Sequence, residues 1–231
     1  MISKKIAVVV VAGAMILAGG LFLFADQGMR FGIPSGGATV LQNAEVRMYE
    51  GKDLSSINDF RENSIKGPQY INISDYRLTV TGLTNTTNIY TYSGVLERFP
   101  HYSKMVTLFC VEGWDVSILW EGVQVRDIIR EAGINPRANT VIFTAHDGYT
   151  TSFPLDYLMK NDIIMAYKMN NITLPAERGY PFELVAQDKW GYKWIKWIEK
   201  IELTDDPAYR GYWEQRGYSN TGNLTENFFS P

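Results

Sequence analysis

Thr107-Leu-Phe-Cys110-Val-Glu-Gly-Trp114 is the stretch whose reading decides the fold, because it sets the only cysteine of 231 residues at the end of a β-branched and aromatic run. A lone thiol forms no internal disulfide. It is either a small buried hydrophobe or a thiolate used as a ligand or nucleophile, and the stretch alone leaves both readings open. The run from Met105 to Cys110 predicts a strand whose carboxyl end presents the thiol, with Glu112, Gly113 and Trp114 in the turn that follows. Val116–Trp120 is the next apolar run.

Working outward, Arg77–Gly82 alternates as a strand, and Tyr90–Tyr92 reads as its antiparallel neighbour. Ser93 is placed to cap a short helix through Val95, Leu96 and Phe99, stopped by Pro100. Residues 125–132 predict an amphipathic helix with Val125, Ile128 and Ile129 on one face and Gly133 closing it. Val141–Phe143 and Tyr149–Phe153 flank an Asp147-Gly148 turn as a hairpin, with His146 beside it. A helix over 154–159 starts at proline. Ile163–Lys168 and Ile172–Leu174 form a hairpin through Asn170-Asn171, Phe182–Ala186 is a strand, and Trp194–Leu203 follows it. From residues alone, Trp190–Trp197 reads as an edge strand with its aromatics on the core.

The first 25 residues stand apart. Lys4-Lys5 precede an uncharged, largely apolar run from Ile6 to Ala25, the roughly 20 residues that span a bilayer. They predict a membrane anchor or a cleaved signal. The two lysines place residues from Asp26 onward on the outer face, and four glycosylation sequons, at Asn72, Asn85, Asn171 and Asn223, agree with that side. A tether over 26–45 then leads to a domain over 46–231. The 22 Lys and Arg against 25 Asp and Glu give net −3, which leaves no basic field for nucleic acid. Two histidines exclude a His-rich metal site, although a Cys110–His146 nucleophilic pair, hence a cysteine hydrolase, stays open by residue type.

Three stretches decide together: Cys110-Val-Glu-Gly-Trp114, Asp147-Gly-Tyr149, and Arg178-Gly-Tyr-Pro181 followed by Trp190-Gly-Tyr-Lys193-Trp-Ile-Lys196-Trp197. In order and spacing this set resembles the molybdopterin-binding domain of the sulfite oxidase family, in the branch of the bacterial methionine sulfoxide reductase catalytic subunit. The resemblance implies an α+β fold with a mixed β-sheet and a molybdenum–molybdopterin cofactor. It implies Cys110 as thiolate ligand of the metal, a soft donor suited to a high-valent transition metal. It puts Gly191, Lys193, Trp194, Ile195 and Lys196 at the cofactor, joined by Asn63, Arg61 and Lys66 of the N-terminal arm and by Arg178. On the substrate side the candidates are Glu112, Trp114, His146, Asp147 and Tyr149. The implied reaction is two-electron oxygen-atom transfer on a small S- or N-oxo substrate, with a redox partner such as a membrane haem protein.

The sequence departs from the family pattern at Ala145, where a small hydroxyl residue is frequent, and at two further positions. Arg178 stands where a His or Asn is usual, and Glu183 stands where an Arg is usual two residues after the proline. A metal-free binding module of the same fold is the alternative these departures keep open.

Overall fold

The computed structural model describes residues 44–229, so the predicted anchor over 1–25 and most of the tether lie outside the described residues. In chain order the elements are β1 (Met48–Tyr49), β2 (Lys52–Asp53), β3 (Leu78–Gly82), β4 (Asn88–Tyr90), α1 (Tyr92–Arg98), β5 (His101–Phe109), β6 (Asp115–Gln124) and α2 (Val125–Ala132). There follow β7 (Thr140–Ala145), β8 (Thr150–Pro154), α3 (Leu155–Lys160), β9 (Ile164–Met169), β10 (Ile172–Thr173), β11 (Glu183–Val185) and β12 (Ile198–Thr204). No helix among the described residues is long and apolar enough to cross a membrane.

Two five-stranded sheets carry the fold. One runs β10-β9-β6-β5, with β11 also paired to β9, and the other runs β4-β3-β12-β7-β8. The second is mixed, because β12 runs parallel to β3 and antiparallel to β7. The alternation of Leu78, Val80 and their neighbours turns apolar side chains to one face, and those side chains join Ile118, Trp120, Phe143, Phe153 and Ile201 in a single core. Helix α2 packs Val125, Ile128, Ile129 and Ala132 into it, and Gly133 ends the helix at φ 74. Each such fully buried Val or Ile contributes about 1.5–3 kcal/mol.

Where β6 crosses β9 the register shifts between Glu121 and Gly122. A Cβ at Gly122 would meet Met165 O at 2.4 Å, so only glycine admits the two backbones this close.

Three expected boundaries are corrected. Thr91, not Ser93, caps α1, its hydroxyl accepting from Gly94 N at 3.0 Å, because the helix starts one residue before Ser93. Pro154 ends β8 and flanks α3 rather than opening it. Trp190–Trp197 is not an edge strand: Gly191–Lys193 forms a 3-10 turn, and β12 begins only at Ile198. Aromatics that read as one face of a strand are instead buried from several sides, with Trp194 against Trp120 at a ring distance of 5.7 Å.

Candidate functional site

The loop that closes the β5–β6 hairpin builds the centre of the site. Cys110 N donates to Trp114 O at 2.9 Å and Gly113 N to Cys110 O at 3.1 Å. Gly113 takes φ 86 to turn the chain. The thiol is thereby held at the end of β5, buried at 8% exposure, on the wall of a cavity of about 420 Å³. That volume lies within the range of small-molecule and cofactor sites.

Two N–H groups point at the sulfur: Glu112 N at 3.5 Å and Asn63 Nδ2 at 3.6 Å. Burial pushes the Cys110 thiol up, and both donors work against that by stabilising the thiolate. Glu112 accepts from Trp114 Nε1 at 3.1 Å, and the hydrogen bonds from Trp114 and Asn63 hold its carboxyl below the usual range. Trp114 packs on Phe60 at 5.8 Å.

Across the cavity, the turn from Trp190 to Trp197 closes in. Phe109 and Trp190 form a parallel bridge, and a Cβ at Gly191 would stand 3.2 Å from Phe109 O, so glycine lets this turn approach the cysteine strand. Gly191, Trp194, Ile195 and Lys196 all line the cavity. Lys196 Nζ donates to Glu62 Oε1 at 2.6 Å and to Glu177 O at 3.2 Å.

Lys193, expected at the cofactor, points the other way. It is fully buried and donates to Glu214 Oε1 at 2.6 Å, Ser152 O at 2.7 Å and Asn220 O at 3.0 Å, which uses all three of its protons behind the cavity wall. Desolvation lowers its pKa, and Glu214 opposes that shift.

Of the arm residues, Arg61 and Asn63 line the cavity, while Lys66 lies outside the lining, its Nζ 3.7 Å from where a Cβ of Gly148 would stand. Arg178 lines it too, but most of its guanidinium serves the arm. It donates to Ile57 O at 3.0 Å, Phe60 O at 2.5 Å and Arg61 O at 3.1 Å, and it lies over the Phe60 ring at 3.7 Å. It fixes the segment that delivers Asn63 to the sulfur.

Of the Asp147 turn, Asp147 and Tyr149 reach the cavity. Asp147 is buried and accepts from Tyr149 N at 2.9 Å, and the Tyr149 hydroxyl donates to Tyr192 O. His146 does not reach it. Its half-exposed ring pairs through Nδ1 with Glu199 Oε1 at 2.5 Å and makes no hydrogen bond to Cys110, so the contact a Cys–His nucleophilic pair needs is not formed.

Phe60, Glu62 and Glu183 line the cavity without having been predicted, and Trp213 and Tyr218 join them from an aromatic, Arg-rich C-terminal segment whose sequence left open a place at the site mouth. Of the first three only Glu183 carried a signal, as a departure from the family pattern. Phe60 and Glu62 arrive through contacts between distant segments.

The donor set fits a metal-bearing cofactor. A soft sulfur donor with two N–H groups aimed at it faces an open-mouthed cavity, and Lys196 and Arg61 supply positive charge beside it for an anionic tail. Among the described residues no cluster of three or more His, Cys, Asp or Glu side chains could hold a metal ion by itself. The remaining metal positions would fall to the cofactor.

Comparison with known proteins agrees. The model of the oxidoreductase molybdopterin binding domain matches residues 65–213. The chain is 32% identical over 161 residues to the uncharacterized oxidoreductase YuiH of Bacillus subtilis, covering 69% of this chain and 80% of that protein. It is 31% identical over 150 residues to the putative protein-methionine-sulfoxide reductase subunit YedZ1 of Azospira oryzae, covering 64% of this chain and 56% of that one. The sulfane dehydrogenase SoxCD from Paracoccus pantotrophus shares the fold with TM-score 0.58 at 24% identity, over 61% of this chain and 41% of that chain.

Proposed function

We propose a function from this premise: the chain belongs to the oxidoreductase molybdopterin binding domain family, and it is an oxidoreductase with a molybdenum–molybdopterin cofactor. In our reading it performs two-electron oxygen-atom transfer on a small S- or N-oxo substrate, with Cys110 as thiolate ligand of the metal. The observation that carries this reading is the Cys110 sulfur on the cavity wall with Asn63 Nδ2 and Glu112 N turned to it. When bound, the cofactor supplies the two-electron redox chemistry.

The protein's own part is binding, orientation and exclusion of water. Asn63 and the Glu112 amide hold the thiolate. Lys196, Arg61 and the two N–H groups left over on Arg178 serve the anionic tail. Trp114 and Tyr149 wall the substrate side, with Glu112 and Asp147 beside them. The lining carries the carboxylates Glu62, Glu112, Asp147 and Glu177 against Arg61, Arg178 and Lys196, which gives no net positive field for an anionic substrate and favours a neutral oxo compound. One cysteine and two histidines leave this sequence without the usual ligands of a second redox centre, so electrons pass to or from a partner, in our reading a membrane haem protein.

The run Ile6–Ala25 after Lys4-Lys5, with sequon residues Asn72, Asn85 and Asn171 exposed, supports a membrane-anchored chain with its domain over 46–231 on the outer face.

Protein purified from its native host is expected to hold about one molybdenum and one pterin per chain. It is also expected to reduce a neutral sulfoxide faster than it oxidises sulfite. A purified chain with neither metal nor pterin contradicts the reading.

A further inference from the structure

Glu183 is an anomaly in the cavity wall. It opens β11 opposite Ala166 of β9, is 96% buried by residue, and still lines the cavity. Neither of its oxygens has a hydrogen-bond partner among the described residues. The two cations nearest in charge are engaged elsewhere: Lys196 with Glu62 and the Glu177 carbonyl, Arg178 with three carbonyls of the arm. Gly179 packs against both side-chain stems. A Cβ there would stand 3.0 Å from Glu183 Cβ and 3.0 Å from Lys196 Cγ, so the backbone of Gly179 packs closely on the base of the Glu183 side chain.

Buried polar groups are nearly always hydrogen-bonded, so one left with open acceptors in a cavity points to a ligand that donates. Burial pushes Glu183 up to about 8, with Lys196 and Arg178 opposing, which shows how poorly the protein alone solvates this charge.

The cofactor offers two kinds of group. Its phosphate is anionic and only accepts, so it cannot satisfy a carboxylate. Its pterin ring carries an adjacent amine and ring N–H, two donors side by side on one edge, and a carboxylate accepts such a pair with both oxygens as it does from a guanidinium. We propose that Glu183 receives the amine and N–H edge of the bound pterin, and so fixes the ring's orientation where the family pattern has a cation. This inference rests on the functional reading above.

The test is pterin retention. Wild type, E183Q, E183L and E183D are purified from the native host, passed through gel filtration, and assayed for fluorescent oxidised pterin per chain and for molybdenum. Circular dichroism and melting of the cofactor-free forms report folding. Losing a paired charge-assisted contact is expected to make E183L release pterin at least about tenfold faster. E183Q, which keeps the shape but turns its own N–H towards one ring donor, is expected to lose less, and E183D to keep most. All cofactor-free variants are expected to melt no lower than wild type. E183Q is isosteric, so it decides the matter if E183L does not fold. Loaded wild type with equally loaded E183L and E183Q overturns this inference and leaves the functional reading standing. Wild type without pterin overturns both.

Discussion

Two buried carboxylates a short distance apart in sequence behave in opposite ways. Glu214 is 1% exposed; its Oε1 accepts from Lys193 Nζ at 2.6 Å and Thr151 Oγ1 at 2.7 Å, while its Oε2 is buried without a partner. Glu183 is 4% exposed with no partner for either oxygen among the described residues. Glu214 is neutralised by a lysine that also grips the Ser152 and Asn220 carbonyls, so that pair ties the C-terminal segment to β8. Glu183 faces a cavity. Burial of charge by itself therefore says little about function here, and the direction of the open valences says a good deal.

Breaking the first of these should have the largest effect. Lys193→Met strands Glu214 as an unpaired buried charge and is expected to cost about 3–5 kcal/mol, read by denaturant unfolding. Adding Glu214→Leu should recover most of that loss, since the pair stabilises little beyond an apolar replacement. A double variant as unstable as the single would mean that Lys193 acts through its carbonyl contacts instead.

Arg178→Ala comes next. It removes three hydrogen bonds to the arm and the stacking on Phe60, and is expected to destabilise by about 2 kcal/mol. Limited proteolysis should then cut residues 57–63 faster, and cofactor load should fall because Asn63 is no longer held at the sulfur. An unchanged load would show that the clamp is dispensable.

The third effect is a pH slope, small at acid pH and growing only as pH rises. Glu183 sits at about 8 in the fold against its ordinary 4.5, so between these values the folded chain holds a proton the unfolded chain has lost. Stability of the cofactor-free protein then falls as pH rises through that window. E183Q should remove this contribution: its melting advantage over wild type is expected to be absent near pH 4 and to grow steadily as pH rises towards 8. Parallel melting curves would place Glu183 in a wetter setting than its burial indicates.

The parts legible in the sequence are those set by local rules. Helix α2 and its Gly133 cap follow from a 3.6-residue period and a C-terminal glycine, and the β7–β8 hairpin follows from Asp147-Gly148. Cys110 at a strand end was readable from the run before it. The extension of β5 back to His101 was not, because His101-Tyr-Ser-Lys104 is largely exposed and shows no apolar alternation. The arm was illegible for a different reason. Its order comes from distant anchors: Asn170 donating to Glu45 Oε1 at 3.1 Å and Ser55 O at 2.8 Å, and Arg178 reaching back to Ile57 and Phe60. Lys193 illustrates the limit for site residues, since a lysine next to cavity-lining neighbours can turn inward, and only packing shows which way it turns.

The central claim is that the Cys110 sulfur holds the metal of this oxidoreductase, and the most direct measurement is the molybdenum content and sulfur ligation of a Cys110→Ser variant purified from the native host. The expected result is loss of the protein sulfur from the metal's X-ray absorption signature, with turnover reduced by at least about a hundredfold. A variant that keeps both an unchanged sulfur signature and full turnover would contradict the account.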